Sequence, residues 1–282
     1  MIHKLSKDIT EAILQLPHLA KSIYRDLDIN GTLEFFERRY LISLRKHIKI
    51  EDSLLADCAC GFGWFAFAYI MSGGKRAIAI DVDSERLEAA RCIGALIGVN
   101  DKIEYRLSAL DQIELAEDEV DVFVCIETLE HVGKERIGKS LSKIVSSTSN
   151  LLLITTPNKW FPIIAHDTRI PFLHWLAPRY RRTVARIFRR GHLDEGNEFL
   201  SPLDFRIIKK KFRPISRCLT FDSVLEYIEQ YPIYLPYGPD EKRRHLIRPN
   251  PLKRMYLTIT SMILGRNSYW IMPSMARIFI RK

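Results

Sequence analysis

The fold of this chain is decided by the stretch Asp57-Cys58-Ala59-Cys60-Gly61-Phe62-Gly63. It joins an apolar run predicted as a strand over 53–57 to an apolar run predicted as a helix over 61–71. Glycines in such a turn let backbone N–H groups and a helix N-terminus come close to a ligand. Asp81 ends the next predicted strand, where a carboxylate accepts hydrogen bonds from both hydroxyls of a ribose. The arrangement predicts a site for a cofactor that contains a nucleoside.

Strands and helices alternate around this turn. Predicted strands cover 53–57, 76–81, 103–107, 120–126 and 151–155, and helices between them cover 61–71, 84–97 and 134–147. This alternation predicts an α/β fold in which helices cover both faces of a mostly parallel sheet. Before the first strand, residues 1–50 are predicted as two or three helices with apolar residues at helical spacing.

The regular alternation stops after Pro157 and returns only in part. A helix is predicted over 201–211, a strand over 213–220, and a final strand of the edge type over 276–281, where apolar and basic residues alternate. We therefore divide the chain into a helical cap at 1–50 and one domain at 51–282. Two insertions that cover the substrate are expected in that domain, at about 158–200 and 222–272.

The composition excludes several classes of protein. The 282 residues are 47% hydrophobic and 27% charged, as in an ordinary folded protein and unlike a disordered chain. The five cysteines contain no Cys-x-x-Cys pair, which argues against a zinc ribbon or a disulfide framework and indicates reduced thiols in a cytoplasm. We expect neither a signal peptide nor a transmembrane helix, since the longest apolar stretch is about half the length that a span needs.

Charge is distributed unevenly along the chain. Residues 1–157 hold 19 Lys and Arg against 24 Asp and Glu, whereas residues 158–282 hold 24 against 10. The second part therefore carries a net charge of +14 within a total of +9. The segment 168–190 contains seven arginines, no acid, and several aromatic residues. It is either a solvated basic helix or a contact for an anionic membrane surface, a phosphorylated substrate or nucleic acid.

The glycine turn resembles the first motif of class I S-adenosylmethionine-dependent methyltransferases, which runs acid-x-Gly-x-Gly-x-Gly. Asp57, Gly61 and Gly63 match it, and Ala59 stands where the first glycine is usual. The same turn formally matches the dinucleotide fingerprint G-x-G-x-x-A, a weak signal by itself. The resemblance implies a Rossmann-like fold, with seven mostly parallel strands and an antiparallel last strand, and S-adenosylmethionine as cofactor. It also implies that Asp57 holds the methionine end of that cofactor.

Two further segments strengthen the resemblance. Asp81-Val82-Asp83-Ser84 continues as in these methyltransferases, and Leu129-Glu130-His131-Val132 after an apolar fourth strand is a strong signal of the family. Where the family often has an acid that faces adenine, this chain has Ser108-Ala109, followed by Leu110 and Asp111. The residues that the resemblance assigns to the cofactor are Asp57, Ala59, Gly61, Gly63, Asp81, Val82, Ser108, Ala109 and Glu127.

Candidate catalytic residues follow the fourth and fifth predicted strands. Glu127 and His131 come just after the fourth strand, and His166 lies next to Asp167 in the loop region after the fifth. A general base is needed only where the acceptor must lose a proton, and histidine titrates in the useful range. Glu127-x-x-Glu130-His131 also resembles the cluster with which ubiquinone-pathway O-methyltransferases hold a divalent ion. Metal-free relatives share the Glu-His pair, so no metal is predicted here.

The acceptor is expected to be a small molecule, a glycan or a lipid-linked molecule, methylated on oxygen or carbon. Trp160 and Trp175 are predicted either to stack on a ring of the acceptor, to anchor at a membrane interface, or to pack in the core. The basic second part suggests an anionic acceptor, and 168–190 suggests an anionic membrane surface at the inner face of the membrane. An RNA methyltransferase has a fitting charge, but no RNA-binding module is recognised. The sequence also leaves open a non-catalytic scaffold protein and a nicotinamide-dependent oxidoreductase.

Overall fold

The computed structural model describes residues 2–20, 27–164, 168–190, 197–230 and 249–282. Its centre is a seven-stranded sheet, with β1 Leu54–Cys58, β2 Arg76–Asp81, β3 Ile103–Leu107, β4 Val120–Ile126, β5 Thr148–Thr155, β6 Phe212–Pro214 and β7 Arg277–Arg281. The strand order is β3-β2-β1-β4-β5-β7-β6. Strands β1 to β5 are parallel to one another, and β7 runs antiparallel to both β5 and β6. The predicted α/β fold with a mixed sheet is confirmed.

Helices cover both faces of the sheet. In the described ranges they are α1 Lys7–Leu14, α2 Pro17–Ala20, α3 Ile29–Phe36, α4 Ile42–Leu44, α5 Trp64–Met71, α6 Ser84–Ile97, α7 Lys134–Ser147, α8 Pro178–Ile187, α9 Arg206–Lys211, α10 Val224–Glu229 and α11 Pro251–Leu264. A π-helical turn, Glu37–Leu41, joins α3 to α4. The helices predicted at 84–97 and 134–147 have the predicted bounds. None of the described helices is both long and apolar enough to cross a membrane.

Helix α5 explains why the N-terminal helices pack where they do. Its sequence is apolar on every side, and its residues from Trp64 to Ile70 are all buried. One side of α5 faces the sheet, so the apolar residues on its other side must be buried by a different part of the chain. Phe36 and Tyr40 supply it, since both rings lie about 6 Å from the ring of Phe65. The first turn of α5 is thereby held between the sheet and the N-terminal helices.

The predictions for 201–220 are partly wrong. The helix begins at Arg206 rather than at 201, because the Asp204 carboxylate accepts hydrogen bonds from the amide and the hydroxyl of Ser201 and forms a separate turn there. The following strand ends at Pro214. The Ile215 amide still donates to the Ile278 carbonyl, but the Ile278 amide donates to the Ser216 hydroxyl instead of to the backbone, which ends the ladder.

The last strand is not an edge strand, contrary to the sequence-based prediction. β7 lies between β5 and β6 and hydrogen-bonds with both. Its first residue, Arg277, is fully buried. The Arg277 guanidinium donates to the carbonyl oxygens of Leu219 and Ala276 and lies 5.2 Å from the centre of the Tyr269 ring. Backbone acceptors and an aromatic face therefore let a basic residue occupy an interior strand, which the alternating pattern cannot reveal.

Candidate active site

A cleft of about 650 Å³ opens at the carboxyl ends of β1, β2 and β4. This is the edge at which open α/β sheets bind their ligands. Six of the residues predicted for cofactor binding line it, namely Ala59, Asp81, Val82, Ser108, Ala109 and Glu127. The candidate base His131 also lines it. The structure thus brings together residues from four segments that are up to 72 positions apart in the chain.

The turn after β1 takes a conformation that favours glycine. Gly61 has φ of 54° and Gly63 has φ of 81°, and Gly63 caps the N-terminus of α5. A Cβ at Gly63 would lie 2.9 Å from the ring of Phe67, whereas one at Gly61 would meet nothing within 4 Å. Ala59 keeps a left-handed φ of 56° although it carries a side chain. The position at which alanine replaces the usual glycine therefore retains the glycine-like backbone.

Asp81 holds this turn from the neighbouring strand. Its Oδ2 accepts a hydrogen bond of 2.7 Å from the Gly61 amide, and its Oδ1 accepts one of 3.0 Å from the Asp83 amide. The backbone adds a bond from the Cys60 amide to the Ile80 carbonyl. The Asp81 carboxylate is buried, yet it borders the cleft. It can therefore fix the turn and face a ligand at the same time.

Asp57 lies behind the turn rather than in the lining of the cleft. Its Oδ2 accepts a hydrogen bond of 3.2 Å from the Ala66 amide in the first turn of α5. Burial, together with the nearby charge of Asp81, raises the pKa of Asp57 to about 7, although the Ala66 hydrogen bond opposes the rise. Gly61 and Gly63 are likewise absent from the lining. The role that the resemblance implies for Asp57 stays a prediction.

The segment after β4 presents two carboxyl groups in different settings. Glu127 has a left-handed φ of 47°, held by hydrogen bonds from its amide to the carbonyl and the hydroxyl oxygens of Thr155. Its side chain lines the cleft. Glu130 is buried, and its Oε2 accepts from the Thr156 hydroxyl at 2.9 Å. Burial, followed by the charge of Glu127, raises the pKa of Glu130 to about 8.

The positions of Glu127, Glu130 and His131 decide whether these three residues can bind one divalent metal ion. Glu130 is turned into the protein, where burial raises its pKa, whereas His131 is exposed at the cleft. Within the described ranges, no group of three or more His, Cys, Asp or Glu side chains is arranged to hold a metal ion. The Glu127, Glu130 and His131 cluster does not gather around one point.

Tyr40, Arg86 and Arg136 lie in or beside the site and were not predicted from the sequence. Tyr40, from the N-terminal helices, is buried with its phenol near the Thr155 side chain and the charge of Glu127. Arg86 and Arg136 line the cleft, and Arg136 lies 4.0 Å from Asp111. Tyr40 belongs to an apolar helical stripe, and nothing in that stripe distinguishes it from a core residue.

The predicted acceptor region is only partly described. His166 and its neighbour Asp167 lie outside the described residues. Trp175 donates from Nε1 to the Lys159 carbonyl oxygen at 2.6 Å and is about half exposed. The Trp160 ring is 5.4 Å from that of Trp270. A hydrogen bond therefore holds the Trp175 ring and an aromatic contact holds the Trp160 ring, while part of each ring is exposed.

Comparison with known proteins identifies the part of the chain that contains this cleft. Residues 55–150 match the family model described as a methyltransferase domain. This part of the chain is a methyltransferase domain. S-adenosylmethionine is the cofactor of the methyltransferase domain, and the cleft fits it, since Asp81 offers a carboxylate to a ribose while Ser108 and Ala109 border the same space.

Curated relatives of the methyltransferase domain match it over a short stretch. The ribosomal protein L11 methyltransferase of Hamiltonella defensa is 33% identical over 73 residues, which is 26% of this chain and 24% of that protein. The Yersinia pestis protein of the same name is 33% identical over 73 residues, 25% of its length. The chain thus spans about a quarter of the length of these relatives.

Solved structures resemble the chain over longer stretches at low identity. Magnesium protoporphyrin IX methyltransferase from Synechocystis PCC 6803 with bound SAH is 13% identical, with a TM-score of 0.48, over 74% of this chain and 85% of that one. MccD protein is 11% identical, with a TM-score of 0.47, over 89% of this chain and 96% of that one.

Proposed function

We propose that this protein transfers a methyl group from S-adenosylmethionine to oxygen or carbon of a small-molecule, glycan or lipid-linked acceptor. One observation carries the proposal. The carboxylate suited to a ribose, Asp81, and the two candidate bases, Glu127 and His131, line one cleft in a methyltransferase domain. A binding protein without activity has no need for a base beside its ligand.

Methyl transfer from this cofactor needs no covalent intermediate with the protein. When bound, the cofactor supplies a methyl group on a positively charged sulfur. The protein's own residues must hold the two substrates in line, and such positioning supplies about 7–11 kcal/mol in well-oriented systems. Where the acceptor is a hydroxyl, an imidazole nitrogen of His131 or the carboxylate of Glu127 accepts its proton. Glu130 is a weaker candidate for the base, because it is buried against Thr156 and burial raises its pKa, which favours the protonated form.

The basic second part of the chain supports an anionic acceptor or an acceptor presented at a membrane. Helix α8 and its flanks carry the arginines of 168–190, and Phe172, Trp175, Ile187 and Phe188 are half-exposed or more. Such a mixture of basic and exposed aromatic residues suits the surface of an anionic bilayer. All five cysteines are free thiols, which fits a cytoplasmic location with this segment at the inner face of the membrane.

The acceptor class can be tested without knowing the acceptor. The purified protein is incubated with methyl-tritiated S-adenosylmethionine and a bacterial extract that has been separated into lipid, low-mass aqueous, protein and RNA fractions. We expect label in the lipid or the low-mass fraction. A Val82→Trp variant, which fills part of the cleft at a side chain that is 69% exposed, controls for background transfer.

Three results would decide against the proposal. Label in RNA that weakens with salt would establish an RNA methyltransferase. Label in protein would favour a substrate of the kind named for the ribosomal protein L11 methyltransferases. No transfer to any fraction by a protein that binds the cofactor would favour a scaffold protein.

A further inference from the structure

Helix α11 has two apolar faces, and among the residues that the structure describes only one of these faces is covered. Leu257 and Thr260 are buried and turn toward the cluster that contains Cys218, Phe221 and Tyr227. On the opposite side, an exposed stripe of five apolar residues recurs at helical spacing, comprising Leu252, Met255, Ile259, Met262 and Ile263. Met262 is 79% exposed and Ile263 is 76% exposed. An ordinary surface helix carries polar residues on that side.

Basic residues border this stripe. A groove of about 1090 Å³ runs between α10 and α11, and Arg217, Arg254 and Arg266 line it together with Leu225 and Met262. Among the described residues of that lining, Asp222 is the single acid. The sequence from 249 to 282 contains six basic residues and no acidic one. The surface therefore combines an uncovered apolar stripe with a positively charged border.

The end of α11 is tied to the edge of the sheet that carries the cleft. The 3-10 helix Gly265–Trp270 follows α11 directly and leads to β7. Asn158, just after β5, donates from Nδ2 to the carbonyl oxygens of Tyr269 and Met272 at 3.0 and 2.8 Å. The Met275 amide donates to Thr156, whose hydroxyl donates to Glu130. The segment between α11 and β7 therefore lies at the same edge of the sheet as the cleft.

We propose that α11 docks on the surface of an anionic phospholipid bilayer, with its apolar stripe among the acyl chains and the arginines of the α10–α11 groove on lipid phosphates. The stripe is long enough for a helix that lies in the plane of the interface, and arginine binds phosphate through two parallel hydrogen bonds. This surface is separate in sequence from 168–190. Its docking does not depend on methyl transfer.

Charge favours lipid over a second copy of the chain. A two-fold dimer through this stripe would use the same surface on both copies, and so would bring two basic borders close together. An anionic lipid surface is complementary to the same border. Each basic residue near such a surface contributes about fivefold to binding.

The test is flotation of the full chain with vesicles of phosphatidylglycerol and phosphatidylethanolamine, and with vesicles of phosphatidylcholine. We expect binding to the anionic vesicles and at least about tenfold weaker binding by the double variant Ile259→Glu/Met262→Glu. Leu96→Glu/Leu203→Glu is the matched control, since both leucines are 38% exposed and lie outside α11. This control variant adds the same charge as the α11 variant, and it should bind the anionic vesicles as the unchanged protein does.

Several results would overturn the docking proposal. They are no flotation of the unchanged protein, equal binding to both kinds of vesicle, or flotation of the α11 variant at full strength. A dimer in solution that the α11 variant converts to a monomer would assign the stripe to a second copy instead. The shift in melting temperature with S-adenosylhomocysteine is measured on all variants. Because that shift reports the cleft alone, failure of docking and failure of the proposed activity are distinguishable.

Discussion

The Oδ2 atom of Asp81 accepts a hydrogen bond of 2.7 Å from the amide of Gly61, twenty residues earlier in the chain. This bond ties the end of β2, which lines the cleft, to the turn after β1, whose Gly61 lies outside the lining of the cleft. The same carboxylate accepts from Asp83 through its other oxygen. One side chain therefore shapes the turn, begins the connection to α6 and borders the space for the cofactor.

Replacing Asp81 should damage both the turn and the cleft. Asp81→Ala leaves the amides of Gly61 and Asp83 without their acceptor, and we expect it to cost about 2–3 kcal/mol of unfolding free energy. It should also abolish binding of S-adenosylhomocysteine. Val82→Trp separates the two effects, because the exposed Val82 lines the cleft without holding the turn. Its stability should change by less than about 0.5 kcal/mol while binding is lost. Urea unfolding and calorimetric titration measure the two quantities.

The two glycines of the turn should respond differently to alanine. Both have a left-handed φ, which costs a residue with a side chain about 1–2 kcal/mol. A Cβ at Gly63 would also collide with the Phe67 ring, which adds about 1–3 kcal/mol of overpacking, whereas a Cβ at Gly61 has open space. Gly63→Ala should therefore lower the free energy of unfolding more than Gly61→Ala. Equal losses in urea unfolding would contradict the packing described around α5.

The buried carboxyl of Asp57 should make stability depend on pH. Its pKa is raised from 3.8 to about 7, mainly by burial, so the folded state holds this proton more tightly than the unfolded state. The free energy of unfolding therefore falls as pH rises from about 4 to 7. Asp57→Asn retains an acceptor for the Ala66 amide and lacks the titration. Its stability relative to the unchanged protein should rise, on the order of 1–3 kcal/mol, between pH 5 and pH 8. A pH-independent difference would show that Asp57 is ionised in the fold.

Tyr40 should matter more for the reaction than for stability. Tyr40→Phe removes a hydroxyl that lies near Thr155 and the charge of Glu127, and we expect a loss of about 1 kcal/mol in unfolding free energy. We also expect a clear fall in the rate of methyl transfer with cofactor binding retained. Tyr105→Phe is the matched control, because its hydroxyl bonds to Asn100 and Ala90, which do not line the cleft, whereas Tyr40 adjoins Glu127, which does. It should cost similar stability and leave the rate unchanged.

The parallel part of the fold was predictable because its signals are local. Strand β2 and helices α6 and α7 have the predicted bounds, since an apolar run or an amphipathic period ends where each element ends. The interior position of β7 was not predictable. It depends on backbone carbonyls near Leu219 and Ala276 that accept from the buried Arg277, and these contacts are formed only in the fold.

The site was predictable where one motif supplies both the residue and its place. Asp81, Val82, Ser108, Ala109, Glu127 and His131 all line the cleft as expected. Asp57 belongs to the motif of the glycine turn but lies behind that turn, because its carboxylate accepts a hydrogen bond from the amide of Ala66. Tyr40 was missed because tertiary packing, rather than a motif, brings the N-terminal helices to Glu127.

The most direct test is the melting temperature of the full chain with S-adenosylmethionine, S-adenosylhomocysteine and NAD, beside the Val82→Trp variant. Ligand at 100 times its Kd should add about 2.7 kcal/mol to the free energy of unfolding. We expect stabilisation by the two sulfur nucleosides, none by NAD, and loss of the effect in Val82→Trp. Stabilisation by NAD alone would contradict it.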